Sequence, residues 1–179
     1  MEIKWGVRSE YNFNADKSKN YFAFTLQPTQ DKFYRLQLVD DHRGTIKTTR
    51  VETTDGGVVT DQSVRETTDA LKVSLEFARR YGPFTGRVGL IESTGGFGGD
   101  LQFLDDKITL STDFYDFVAE ENPRIKSWMG WTIVPHLTLV GGVDDYINKE
   151  TRDFFAGVYL HFTDNDLKAV FATSPSVSF

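Results

Sequence analysis

The sequence predicts an all-β chain: an up-and-down antiparallel β-barrel of the transmembrane type, with about ten strands and a short C-terminal helix. Three observations predict it. Apolar and polar residues alternate with period two along most of the chain, which is strand patterning. The apolar set is too bulky to fit inside a barrel little wider than the eight-stranded kind, whose interior is just filled by side chains. The connections also alternate between tight and long, as in a meander with its turns at one end and its loops at the other.

The first strand is predicted over 2–14, with Ile3, Trp5, Val7, Tyr11 and Phe13 opposite Lys4, Gly6, Arg8, Glu10 and Asn12. The second, over 20–28, sets Phe22, Phe24 and Leu26 against Tyr21, Ala23, Thr25 and Gln27. The third starts near Lys32, sets Tyr34, Leu36 and Leu38 against Arg35 and Gln37, and runs on into a Thr-rich stretch. There "DGG" marks a turn between two polar, β-prone arms. "ALKVSLEFARRYG" supplies the fourth strand, with Leu71, Val73, Leu75 and Phe77 against Lys72, Ser74 and Glu76. "PFTGRVGLIES", "GFGGDLQFL", "KITLSTDFYDF", "RIKSWMGWTIV" and "HLTLVGGV" supply the fifth to ninth. The tenth is "RDFFAGVYLHF", with Phe154, Ala156, Val158, Leu160 and Phe162 on the apolar face and Gly157 and Tyr159 on the other. Its Gly157, Leu160 and Phe162 partly match the C-terminal strand signal of outer-membrane barrels, and Phe162 is expected to close the barrel against the first strand.

Tight turns are expected at "PTQD", "YGP", "DD" and "PH", and long ones at "NADKSK", the Thr-rich hairpin, "STGGFG", "AEENP" and "DDYINKET". The Gly-rich "ESTGGFGG" lacks the lysine and the strand-to-helix setting of a phosphate loop, so it reads as a flexible loop. "TDNDLKAVFA" is the one predicted helix, capped by Thr163, Asp164 or Asn165, with Asp166 in its first turn. The chain therefore divides into a barrel over 1–162 and a helix and frayed tail over 163–179.

The bulky set is assigned to lipid: Trp5, Phe22, Phe24, Leu36, Leu75, Phe77, Phe103, Phe114, Trp131, Leu160 and Phe162. The opposite set is assigned to the lumen, where Lys4, Arg8, Arg35, Lys72, Arg87 and Lys107 would pair with Glu10, Glu76, Asp100 and Asp113 among glycines and small residues. Tyr11, Phe13, Tyr34, Phe84, Trp131 and Phe162 near strand ends would form the interfacial girdles. A solvated outer face of a soluble barrel is the plainer account of the same charges.

A net charge of −6 and a pI near 5.1 argue against a nucleic-acid partner. With no cysteine there is neither a disulfide nor a thiolate metal site. His42, His136 and His161 have no metal-ligand spacing. No stretch approaches the roughly 20 apolar residues of a membrane helix, and no apolar signal region follows Met1. The same start is compatible with an export signal lost with an upstream segment and with Met1 as an added start codon. "VDDHRG" suggests a rim Asp–His pair able to activate water. Asp40, Asp41 and His42 are adjacent, however, so alternate ones face opposite sides, and acids that shape turns are the better account. No enzyme activity and no cofactor are expected.

"KFYRLQLVDDHRG", "GRVGLIESTGGFGGDLQFLDDKITLSTDFYDF", "ENPRIK" and "HLTLVGGVDDYINKETRDFFAGVYLHFTDNDLK" together resemble the C-terminal region of certain bacterial MCE-family lipid-transport proteins. The resemblance covers most of the chain without reaching the MCE domain itself. It implies an outer-membrane barrel anchoring an MCE-type assembly, with membrane lipids and other lipid-transport subunits as partners. The role it implies is phospholipid transfer between inner and outer membranes. The alternatives are a soluble periplasmic lipid-binding barrel and an outer-membrane diffusion pore.

Overall fold

In a computed structural model the described residues are 1–43, 45–55, 58–68, 71–117, 122–149, 151–164 and 166. Twelve strands follow in order: β1 (Glu2–Asn12), β2 (Lys17–Thr29), β3 (Lys32–Asp41), β4 (Thr45–Asp55), β5 (Val58–Thr68), β6 (Leu71–Tyr81), β7 (Phe84–Ile91), β8 (Thr94–Phe103), β9 (Ile108–Tyr115), β10 (Arg124–Val134), β11 (Leu137–Asp144) and β12 (Asp153–Thr163). Ten of them form a closed antiparallel barrel in the order β1-β12-β11-β10-β9-β8-β7-β6-β3-β2, while β4 and β5 pair only with each other. An all-β, ten-stranded meander barrel is thus the observed fold. The Thr-rich stretch is a separate hairpin inserted between barrel strands β3 and β6.

Closure follows from the register. β12 pairs with β1 through Phe162↔Trp5, Leu160↔Val7 and Val158↔Ser9, so no barrel edge is left open. Because side chains alternate, this register puts Phe154, Ala156, Val158, Leu160 and Phe162 outside, and Phe155, Gly157, Tyr159 and His161 inside. Phe155 is buried at 3 % exposure, so the lumen holds at least one large aromatic.

The Gly-rich stretch is not a loop. Thr94–Phe103 is a continuous strand, and the β7–β8 connection is the two-residue turn Glu92–Ser93. Both turn residues have positive φ (48° and 69°), as a tight hairpin turn matching strand twist requires. The turn is held by Glu92 N–H donating to Ser74 Oγ (2.9 Å) and Ser93 N–H donating to the Val73 carbonyl (2.7 Å). On the inward face of β8, Gly96 and Gly98 are glycines because no room is left for a side chain. A Cβ at Gly98 would lie 2.3 Å from Asp113 Oδ1 and 3.0 Å from an Arg87 guanidinium nitrogen. Composition alone reads such a run as flexible, whereas at Gly96 and Gly98 the space for a side chain is already taken. At Gly89 the cause is backbone: φ is +153°, and a Cβ would lie 2.1 Å from the Leu75 carbonyl oxygen of the neighbouring strand.

The ends of the barrel differ as expected, with two corrections. Residues 30–31, 82–83 and 135–136 are tight turns at one end, and β3, β9 and β11 run out into the hairpin insertion and the longer connections at the other. The β7–β8 turn is short although it lies at the long-loop end, and 104–107 is a longer turn than "DD" implied. Lys107 lies in that turn and is exposed, so it does not line the lumen. At the C-terminal end, Thr163 N–H and Oγ1–H both donate to Asp166 Oδ2 (2.7 and 2.6 Å). This is the backward-reaching half of a capping box. The rest of the helix predicted over 163–172, and the frayed tail, lie outside the described residues.

Candidate functional site

The barrel is inverted relative to a soluble one. Among the described residues, 33 large hydrophobic side chains are exposed, while the buried set is dominated by Asp, Glu, Lys, Arg, Ser and Thr. Each barrel strand contributes to both sets by alternation. β6 shows it plainly: Leu71, Val73, Leu75 and Phe77 point out, and Lys72, Ser74, Glu76 and Ala78 are buried. The outward residues pack on each other along the wall. Trp5 meets Phe24 edge-on at 4.7 Å between centroids, and Tyr34 meets Phe77 at 5.5 Å.

The lumen holds three connected ion-pair clusters. The first is centred on Arg87 of β7, which is 4 % exposed. Its guanidinium donates to Glu76 (2.7 Å), Asp100 (2.8 and 3.0 Å) and Ser111 Oγ (2.8 Å), and lies 2.7 Å from Asp113. Arg35 completes it with a fork on the Glu76 carboxylate (2.8 and 2.9 Å). The geometry is that of planar, multidentate recognition, for which arginine is suited and lysine is not.

The second cluster crosses the lumen. Lys126 of β10 donates to Glu10 of β1 (2.6 Å) and to Tyr21 Oη (2.5 Å), bridging strands that are not neighbours in the sheet. The Arg8 guanidinium lies 3.1 Å from Glu10 and stacks 4.0 Å above the Tyr21 ring.

The third cluster closes the long-loop end. Lys19, fully buried, contacts Glu92, Asp41 (3.3 Å) and Asp144 (3.7 Å). Arg43, just after β3, donates to Asp41 (2.9 Å) and reaches across to Asp144 on β11 (2.7 Å). Lys72 joins Glu92 (3.2 Å), and Arg124 lies 3.5 Å from Asp145. Burial works against the Arg43 guanidinium, but its hydrogen bonds to Asp41 and the charge of Asp144 push its pKa above the arginine value. Burial pushes the Glu92 carboxyl up, and the ammonium groups of Lys19 and Lys72 more than reverse this, holding it below the usual carboxylate range.

A depressed folded-state pKa adds stability that is present above the unfolded carboxylate value and lost as pH falls through the folded one. The melting temperature is therefore expected to hold from pH 7 to about 5 and to fall below about pH 4.3, the ordinary glutamate value. Glu92→Gln should flatten that acid limb in a thermal-unfolding series, and an unchanged limb would remove Glu92 from it.

Of the sequence-assigned lumen residues, Arg8, Glu10, Arg35, Lys72, Glu76, Arg87, Asp100 and Asp113 lie in these clusters. Lys4 sits at the short-turn mouth, donating to Gln27 (3.0 Å) and 3.4 Å from Glu2. The assigned outer residues all lie on the outward face. Outside the assigned lumen set were Lys19, Arg43, Glu92 and Arg124, the acids Asp41, Asp144 and Asp145 read as turn-shaping, and Lys126, which alternation places on the polar face of its strand opposite Met129 and Trp131. Parity would have found several: Lys19 shares its face with Tyr21 and Ala23, and Asp41 with Arg35, Gln37 and Val39. Asp40 and His42 lie outside and exposed, 3.7 Å apart, while Asp41 points in to Lys19 and Arg43. The three adjacent residues do not converge on one site. Among the described residues no group of three or more His, Cys, Asp or Glu side chains could hold a metal ion.

Comparison with known proteins corrects the MCE resemblance. A family model described as a lipocalin-like domain matches residues 3–169. An uncharacterized protein of Aquifex aeolicus (strain VF5) is 35 % identical over 174 residues. That match covers 91 % of this chain and 51 % of the relative, so the chain spans about half the relative's length. The motifs that suggested MCE proteins are alternating strands and Asp/Gly turns, which any antiparallel meander of this kind produces. Two solved structures are similar. One, from work on the de novo design of transmembrane β-barrels, has a TM-score of 0.36 at 8 % identity and covers 90 % of this chain and 95 % of that one. The other, from work on the in-meso crystallization of membrane proteins, has a TM-score of 0.45 at 10 % identity and covers 92 % and 85 %. By the extent of the family match, this chain belongs to the lipocalin-like domain family.

Proposed function

We propose that the chain is a lipid-binding barrel that binds lipid with its outer wall, embedded in a membrane of the bacterial outer-membrane type, with a lumen sealed by its own ion pairs. The observation that carries the reading is the inversion of the two faces: large hydrophobics outside, charge inside. Soluble monomers rarely expose apolar patches larger than a few hundred Å², and water is a poor solvent for a surface that exposes 33 large hydrophobic side chains among the described residues. Hydrocarbon favours that surface, and a closed barrel leaves no backbone group unpaired within it. Further support comes from the rings of aromatic residues at the two ends: Tyr11, Phe13 and Phe117 at one, Tyr34, Tyr81 and Phe84 at the other. Membrane lipid is the partner in this reading.

The lipocalin-like match favours a second reading, a soluble barrel that carries a lipid or small molecule. Its natural site would be an apolar lumen. Here the lumen is occupied by Arg87, Lys126, Lys19 and their carboxylates, so a ligand inside would have to displace buried ion pairs. A diffusion pore meets the same obstacle and predicts conductance in planar bilayers. One experiment separates these readings. The purified chain is expected to need detergent and to run as a compact band on unheated gels that shifts on boiling. A monodisperse, detergent-free protein with co-purified acyl chains would establish the soluble carrier instead.

A further inference from the structure

We propose that the outer wall carries a seat for one acyl chain of an amine-bearing phospholipid, in a hollow at the long-loop end of β8 and β9. The inference rests on the membrane reading and deepens it. The hollow has a volume of about 370 Å³ and is lined by Thr94, Gly95, Gly96, Phe97, Asp116 and Phe117. Its walls are aromatic: Phe97 stacks on Phe117 (6.0 Å, 10°) and on Phe114 (5.1 Å, 15°). Its floor is bare backbone at Gly95, where an added Cβ would meet nothing within 4 Å. The apolar lining is continuous with the outward face of Leu101, Phe103 and Leu110, so the occupant chemistry is that of the surrounding hydrocarbon.

Two observations specify the lipid further. The wall is short on one side of the hollow: β9 has 8 residues and β8 has 10, against 13 in β2. Eight tilted residues span roughly 20 Å, less than the ~25 Å apolar band of such barrels. A headgroup beside this wall is therefore drawn toward the barrel rim. At that rim stands Asp116, the single charged residue lining the hollow among the described residues. Its backbone N–H donates to Thr94 Oγ1 (3.0 Å), and its carboxylate has no partner among the described residues. A carboxylate at the headgroup level selects an ammonium over an anionic headgroup.

The test uses the full chain reconstituted in vesicles of equal phosphatidylethanolamine and phosphatidylglycerol, extracted gently and counted for bound lipid by native mass spectrometry. Wild type is expected to retain one lipid, preferentially the amine. Gly95→Leu, whose Cβ would meet nothing within 4 Å and whose isobutyl group would compete for the hollow, should lower retention roughly tenfold. Asp116→Asn keeps the left-handed backbone, since φ is +60° and asparagine tolerates it. It should retain lipid but lose the preference. Equal retention by wild type and Gly95→Leu overturns the seat, and an unchanged preference in Asp116→Asn overturns the headgroup assignment. Both variants should still require detergent. If wild type does not, the membrane reading itself has failed, a result distinct from either of these.

Discussion

Replacing Arg87 with methionine is expected to lower barrel stability by about 3–5 kcal/mol, the range for removing one partner of a buried charge pair. The size follows from what is left behind. Glu76 keeps Arg35, but Asp100 and Asp113 lose the guanidinium and Ser111 loses a donor. The side chain is almost wholly shielded, so water cannot take over these bonds without opening the lumen. Arg87→Lys keeps the charge but not the fork, and should fall between wild type and methionine. Adding Asp100→Asn to Arg87→Met removes one of the stranded carboxylates and should recover part of the loss, with a coupling of roughly 0.5–3 kcal/mol. The readout is thermal or denaturant unfolding in detergent. A loss below about 1 kcal/mol is what a solvent-screened surface pair gives, and would mean that the lumen is wet and the cluster is no seal.

The alternation that made the barrel legible is a property of single residues and their neighbours two positions away. That is why the faces of β1, β2, β3, β6 and β12 could be assigned from sequence: Trp5, Phe24, Leu36, Leu75 and Phe162 each share a parity with other apolar residues. The lumen's third cluster was not legible in the same way. Its members Arg43, Glu92 and Asp145 lie in connections, where parity no longer applies, and they meet only because the barrel closes. Asp144 and Lys126 lie on strands, but their importance depends on partners across the lumen, Arg43 and Glu10, separated by 101 and 116 residues. The misreading of β8 has the same origin. Gly98 is glycine because Arg87 and Asp113 occupy its space, a reason that lies on other strands. Local pattern therefore reached the wall of the barrel and stopped short of its contents.

Placing an arginine on the outer wall tests the solvent directly. Leu75 is 53 % exposed near mid-strand, flanked in register by Leu36 and Leu90. In a bilayer Leu75→Arg should cost ~2–4 kcal/mol, because the charge lies near the hydrocarbon midplane. On a soluble barrel the same change at an exposed site should stay within about 0.5 kcal/mol. The control is positional. Tyr81, the last residue of the same strand and 57 % exposed, lies at the rim, where arginine should cost only ~0–1 kcal/mol. The native wall already follows this rule: outward-facing Arg79 sits one alternation from that end, 3.7 Å from Asp31 and over the Tyr81 ring. There its long stem lets the charge reach the interface. Exposure is nearly the same at Leu75 and Tyr81, so water cannot distinguish them, whereas hydrocarbon can. A steep difference between Leu75→Arg and Tyr81→Arg in liposome-refolded protein is the expected result, and equal small effects would return the barrel to water.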